Sequence, residues 1–134
     1  MLITLTVGDS RYGLDCRAVA AVVALADLKK APADVRGLEG LLDYHGEAVP
    51  VLDLNRKIAG RPSADHLSTR ILLVSVAGKD GGTGLAGLVA ERVNETVAEA
   101  PGAERSSSLY LRGIAPNGGT PPPDIDLSPF LPEI

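Results

Sequence analysis

The chain has 134 residues, a formal net charge of −4 and an apolar share of 45% built from Val, Leu, Ala and Ile. That is one domain's length of chain, able to bury roughly 65–70% of its unfolded surface and too apolar to remain disordered. Acidic, with three Tyr, one Phe and no Trp, it offers neither a phosphate-binding surface nor a stacking platform for bases, so nucleic acid is excluded as the expected partner.

In chain order, Leu2 to Val7 reads as a strand, Gly8-Asp9-Ser10 as a turn, and Tyr12-Gly13-Leu14 as the start of a second strand. Asp15 is placed to cap a short helical turn carrying Val19, after which Val22 to Leu25 resumes a β-branched, strand-like character. Lys29 to Asp34 is a proline-containing loop. Ala48-Val49-Pro50-Val51-Leu52 is a short apolar strand whose proline assigns it to an edge or a bulge. Asn55 to Ser68 is polar, a crossover between two parts of the fold. Ile71 to Val76 is a continuous apolar run of the kind a buried strand gives, and Lys79 to Gly82 marks a hairpin tip. Ala100 to Ser108 reads as a loop, Leu109 to Ala115 as a strand, Asn117-Gly118 as a turn, and the proline-rich tail from Thr120 as an extended surface wrap.

The two halves of the chain repeat one another. Leu2 to Val7 is followed by Gly13-Leu14 with Val19 and Val23 behind; Ile71 to Val76 is followed by Gly87-Leu88 with Val93 and Val97 at the same offsets. Each half then reaches an Arg-Gly step, Arg36-Gly37 and Arg112-Gly113. Such a repeat predicts two similar small lobes with a groove between them. They are drawn within one domain over 1–134: lobe 1 at about 13–68, lobe 2 at about 71–134, and the strand 2–7 at their junction. The repeat also decides an ambiguous segment. Leu85, Leu88, Val89, Arg92, Val93, Thr96 and Val97 have helical spacing, yet their counterparts in the first half begin on a strand, so a strand is expected here too.

Several residues invite a chemical reading. Gly82-Thr83-Gly84-Leu85-Ala86-Gly87 satisfies G-x-G-x-x-G, but a dinucleotide site needs its first glycine at the strand's end and a helix behind it. Hairpin glycines are the expectation, and a small nucleotide-binding protein is the weakest of the functions considered. Cys16 with His45 would make a nucleophile and base, but a single apolar-flanked cysteine is far more often a core residue. His45, Asp53 and His66 match no metal-ligand spacing. Asp53 is expected to satisfy backbone N–H groups in a turn. Pro129 to Pro132 is formally P-x-x-P, but it lacks a flanking Arg and is expected to cover an open end of the fold with Phe130 and Leu131. No catalytic residue, cofactor or metal is expected.

Arg11-Tyr12-Gly13-Leu14 with Val19, and then Gly40-Leu41-Leu42-Asp43-Tyr44-His45-Gly46-Glu47-Ala48-Val49-Pro50-Val51-Leu52-Asp53-Leu54, resemble the CheW family of chemotaxis coupling proteins. Gly87-Leu88-Val89-Ala90-Glu91-Arg92-Val93 is similar to the family's Gly-Leu-x-Val-Asp-x-Val, and Tyr110 to Gly113 to a later Tyr-x-x-Gly. The resemblance covers about residues 2 to 115. It implies an all-β fold of two SH3-like, five-stranded β-barrels side by side, and a protein that is not an enzyme. Such a protein is an adaptor between the cytoplasmic tips of methyl-accepting chemoreceptors and the regulatory domain of a CheA-type histidine kinase. Val19 and Val22 would then line a receptor groove, and strand residues around Ala48, Val49 and Val51 would approach the kinase.

The chain departs from that pattern where it bears on binding. Ala21 stands where the family usually has Glu, His45 where it has Arg, and Asp43 where it has Asn. Loss of both members of a charge pair need not destabilise a fold, but it changes the surface. A specialised chemosensory system is therefore expected, or alternatively a divergent module serving another signalling partner. The lone Cys16, the absence of an apolar run near the ~20 residues that span a bilayer, and the absence of a signal-like N-terminus point to a cytoplasmic location without direct membrane insertion.

Overall fold

The structure, a computed structural model, describes residues 2–25, 28, 38–64, 67–77, 83–98, 109–115 and 119–131. The expectations for Lys29–Asp34, Arg36-Gly37, His66, Lys79–Gly82, Ala100–Ser108 and Asn117-Gly118, and for the Val97 side chain, lie outside these.

The fold is mostly β. Strands β1 (Leu2–Val7) and β2 (Ser10–Asp15) form an antiparallel hairpin around Gly8-Asp9, with Gly8 at φ +61 as a tight two-residue loop requires. Asp15 ends β2 and its Oδ1 accepts the Arg17 N–H at 2.8 Å, capping a single 3-10 turn at Cys16–Ala18. The chain then enters β3 (Val19–Ala24). A second hairpin joins β4 (Gly40–Tyr44) to β5 (Glu47–Asp53). Its loop residues His45 and Gly46 sit at φ 52 and φ 84, the doubly left-handed geometry of a type I′ turn. Histidine tolerates that region better than most side chains. A π-type turn at Asn55–Ala59 leads to β6 (Arg70–Ala77) and the long β7 (Thr83–Ala98), with β8 (Tyr110–Gly113) and β9 (Ile125–Asp126) completing the set.

Helical spacing over 85–99 is thus overruled, and the reason is burial on both faces. Ala86, Leu88 and Ala90 enter one apolar cluster while Leu85 and Val89 enter another. A strand buried on both sides has no polar face, and its apolar residues then mimic a helical stripe by chance. The glycines of the G-x-G-x-x-G run that can be seen, Gly84 and Gly87, lie inside this strand with no helix behind them.

The repeat survives in three dimensions with its register intact. In the first half Gly13 lies opposite Thr4 and Leu14 opposite Ile3; in the second, Gly87 lies opposite Leu73 and Leu88 opposite Leu72. These are equivalent positions of the two units. Each half then leaves its own hairpin at the same place. The first does so at the turn Cys16–Ala18, after which β3 pairs with β6. The second does so after Ala90, where β7 turns to pair with β1 through Thr6↔Glu91 and Thr4↔Asn94 on either side of a bulge at which Arg92 has φ 49.

The halves are therefore interleaved rather than laid out as the consecutive lobes anticipated from the repeat. One sheet holds β3, β6, the first part of β7, β5 and β4; the other holds the second part of β7, β1, β2, β8 and β9. Each set has five strands with β7 shared. The pairings among the described residues do not close either set into a barrel, as the resemblance implied, but leave an open path from β3 to β9.

The larger apolar cluster lies between the sheets, from Ile3, Leu5 and Leu14 through Leu72, Val74 and Leu88 to Leu111 and Leu127. The smaller one, around Val49, Val51, Ile71, Leu73 and Val89, belongs to the β4–β5 side. Pro50 lies opposite Leu41 of β4 and before the three residues of β5 that pair with β7, so its missing N–H faces a locally free edge.

Gly87 is packed where β5 and β6 flank β7. A Cβ there would lie 2.9 Å from Ile71 Cγ2 and 2.9 Å from Val51 Cγ2, inside the distance that carbon atoms tolerate. Gly87→Ala is expected to destabilise the fold by about 1–3 kcal/mol, the usual range for overpacking, read as a lowered midpoint in urea with an unchanged slope. The tail contributes more than a wrap. Leu127 is fully buried, Ile125, Phe130 and Leu131 pack on the same cluster, and the Leu127 N–H donates to the Leu109 carbonyl at 2.9 Å. Deleting residues 120–134 is expected to lower the melting temperature by at least about 5 °C, on the scale of one lost core leucine; unchanged melting would contradict this packing.

Candidate functional site

The residues expected to bind partners fall into two groups. Val19, Ala21 and Val22 sit on β3, which pairs with β6 alone among the described strands. All three are half-buried: Val19 and Val22 lean on the inter-sheet cluster, Ala21 on the smaller one. The register shift between Val19 and Ala21 puts both valines on the same side. Asp43, His45 and Ala48 are exposed at the tip of the β4–β5 hairpin. Asp43 Oδ1 accepts the Gly46 N–H at 3.0 Å and so closes the turn. The Tyr44 and His45 rings meet edge to face at a centroid distance of 4.3 Å.

Val49 and Val51 are corrected by burial. Both have no accessible surface and lie inside the smaller cluster, so no partner can touch them without opening the sheet. Period-two alternation leaves Ala48 and the half-buried Pro50 on the other face of β5. The Val-Pro-Val run holds the hairpin in place, and of these residues only Ala48 and Pro50 are open to contact.

Behind the hairpin, a polar knot fixes how the two sheets meet. Asp53, only 4% exposed, accepts the N–H groups of Asn55 at 3.0 Å and Ser63 at 2.7 Å, and the Ser63 hydroxyl at 2.6 Å. This is the turn-satisfying role expected from its sequence position. Asn55, 2% exposed, accepts the Gly8 N–H on its Oδ1 at 2.6 Å and donates from its Nδ2 to Glu91 Oε1 at 3.2 Å. Glu91 Oε2 accepts the Ala64 N–H at 2.9 Å. One buried amide therefore ties the β1–β2 turn to the crossover and to the bulge of β7. The knot lines a polar cleft of about 420 Å³ that also includes Thr6, Asp9, Arg61 and Arg92. Sequence reading missed Asn55, because an asparagine opening a polar loop gives no sign that it is buried.

Cys16 is half-buried against the inter-sheet cluster, whereas His45 is exposed on the hairpin tip. Among the described residues, no group of three or more His, Cys, Asp or Glu is placed to hold a metal ion.

Two five-stranded sets sharing one strand, with Gly-Leu at equivalent registers, narrow the comparison. A family model for the CheW-like domain matches residues 1–120. The chain belongs to the CheW-like family. It is similar to the chemotaxis protein CheW of Treponema pallidum (strain Nichols), 21% identical over 117 residues that cover 84% of this chain and 66% of that protein. Its fold is similar to the crystal structure of the scaffolding protein CheW of Thermoanaerobacter tengcongensis. There the TM-score is 0.61 and the identity 24%, with 75% of this chain and 62% of that one covered. This CheW-like chain thus spans a little under two thirds of the length of either relative.

Because the knot is buried, its loss is a stability effect. Asp53→Ala would take the acceptor from three N–H groups, those of Asn55, Arg56 and Ser63, and from the Ser63 hydroxyl, and is expected to destabilise the fold by about 2–4 kcal/mol. Equilibrium urea unfolding measures this, and a change below 1 kcal/mol would contradict the arrangement.

Proposed function

We propose that this protein is a cytoplasmic, non-enzymatic adaptor that couples methyl-accepting chemoreceptors to the regulatory domain of a CheA-type histidine kinase. The family match over residues 1–120 carries the reading. The two groups of surface residues support it. The β3 edge, with Val19, Ala21 and Val22, offers the apolar, half-covered side chains on which a receptor helix can lay an apolar face. The β4–β5 tip, with Asp43, His45 and Ala48 exposed, offers a rigid hairpin to the kinase. Each contact is small, and repetition across a receptor array supplies avidity.

Ala21 and His45 are the grounds for assigning this adaptor to a specialised chemosensory system. Ala21 is half-buried beside a sheet edge and His45 stands in the open turn, and neither is the Glu or Arg usual in the family at that position. The surface is altered while the cluster beneath it stays intact.

Binding to the regulatory domain of a CheA-type kinase from the same cell, and to the tip of a receptor from that cell, tests the proposal by titration calorimetry. Ala48→Glu is expected to weaken kinase binding by about tenfold while leaving the melting temperature unchanged. Binding to receptors and kinase of a general swimming system is expected to be weaker than an ordinary coupler's. Equal affinity there would overturn the specialised assignment, and no binding to either cognate partner would overturn the adaptor itself.

A further inference from the structure

The repeat that relates the two halves breaks down on one face. Leu73, Leu85 and Val89 belong to the smaller apolar cluster, on the β4–β5 side. The equivalent positions of the first half, counted from Gly13 in place of Gly87, hold Thr4, Arg11 and Asp15. There the Arg11 guanidinium donates to the Thr4 and Thr6 hydroxyls at 2.7 and 2.9 Å. Among the described residues, the apolar hold on β8, β9 and the tail therefore comes from the inter-sheet cluster alone. Leu111 and Leu127 enter it, with Ile125, Phe130 and Leu131 packed against it.

The end of the chain is attached at few points. β9 pairs with β8 through two residues, Leu111↔Ile125 and Tyr110↔Asp126. Leu127 alone of the described tail is fully buried, and its N–H donates to the Leu109 carbonyl at 2.9 Å. Few buried apolar contacts mark a unit that opens ahead of the whole fold. The approach to this segment is held more closely. Pro122 passes over β8 at Gly113, where an added Cβ would overlap the Pro122 carbonyl oxygen and lie 2.7 Å from its carbon. The Gly113 N–H also donates to Asp124 Oδ1 at 3.0 Å, in an exposed position. Pro121, Pro122 and Pro123 restrict this approach to extended backbone, so once lifted it projects outward rather than collapsing.

We propose that residues 125–131 form a strap, latched by Pro122 on Gly113, that opens while both sheets stay folded and seats in the same place on a second copy of this chain. The second copy is the occupant because the bared β8 edge and the Leu127 slot are shaped by this very segment. Exchange restores the Leu111↔Ile125 pairing, the Leu127 hydrogen bond and the burial of Leu127 between chains rather than within one. Only the latch is lost, since the approach then crosses to the neighbour instead of turning back over Gly113. The strap is independent of whichever partners bind at β3 and the β4–β5 tip.

Native-state hydrogen exchange of the full chain, followed by NMR, tests the opening. The Leu127 amide is expected to be at least about tenfold less protected than those of Leu72 and Leu88; equal protection would overturn the strap. Gly113→Ala spoils the latch and leaves the seat of Leu127 untouched. It is expected to raise the dimerisation constant seen by sedimentation about tenfold or more, the equivalent of a modest overpacking cost. Asp124→Ala removes only the exposed hydrogen bond of the latch, and decides the matter if Gly113→Ala does not fold. It is expected to speed Leu127 exchange and strengthen dimerisation by about threefold. In a dimer of isotope-labelled and unlabelled chains, contacts between Leu111 and Ile125 are expected across chains. A dimer lacking them, a folded Gly113→Ala chain no more dimeric than the parent, or an Asp124→Ala chain with neither effect would overturn the exchange.

Discussion

The architecture depends on β7 being one strand in two sheets. Its first part is flanked by β6 and β5, its second by β1, and the change of partner occurs between Ala90 and Glu91, next to the left-handed Arg92. A bulge adds a residue to one strand and shifts its side-chain phase. Ala86, Leu88 and Ala90 face the inter-sheet cluster before it, and Val93 faces the same cluster after it. Without that shift the residues beyond Ala90 would turn their polar side into the core. The bulge thus lets one strand keep a single apolar face toward a core that two sheets enclose.

The first half solves the same problem by other means. There the break is a capped 3-10 turn, and Val19 emerges from it onto the inter-sheet cluster as Val93 does from the bulge. The segment that leaves each hairpin pairs with the other half's opening strand, β3 with β6 and the end of β7 with β1. Neither half can bury its cluster alone, so the two are expected to fold as one cooperative unit. The Asn55 knot reinforces this coupling, since Gly8 belongs to the first hairpin and Glu91 to the second. A buried amide satisfied on both its oxygen and its nitrogen discriminates between arrangements, because a shifted register would leave polar atoms unpaired in the core.

Much of the fold was legible in the sequence because the repeat preserved spacing. The equal offsets from Gly-Leu to the valines gave the strand character of 85–99 against its own periodicity, and Asp15 announced its turn by cap chemistry. What spacing cannot give is which strand pairs with which. The repeat describes two like units, and exchange of their last segments leaves the offsets unchanged, so the consecutive lobe boundaries had no signal to contradict them. The candidate site was legible by position but not by exposure. Ala48 and Val49 are adjacent in a strand and fall on opposite faces, and only the sheet's neighbours decide which face is inside. Asn55 gave no pattern at all, since its role arises between segments distant in the chain.

The buried Val-Pro-Val run bears on how such a scaffold diversifies. Val49 and Val51 are enclosed by Ile71, Leu73 and Val89, so substitutions there would disturb packing rather than recognition. The turn they support is free to vary, because a type I′ loop demands only residues that accept positive φ, and His45 beside Gly46 meets that demand. On β3, Ala21 contributes a small half-buried side chain whose replacement alters the edge without altering the register set by Val22↔Leu72 and Val23↔Ile71. Core and open positions thus alternate along the same strands. Substitutions at Ala21, His45 and Ala48 would therefore change the surface while the residues between them hold the sheets together.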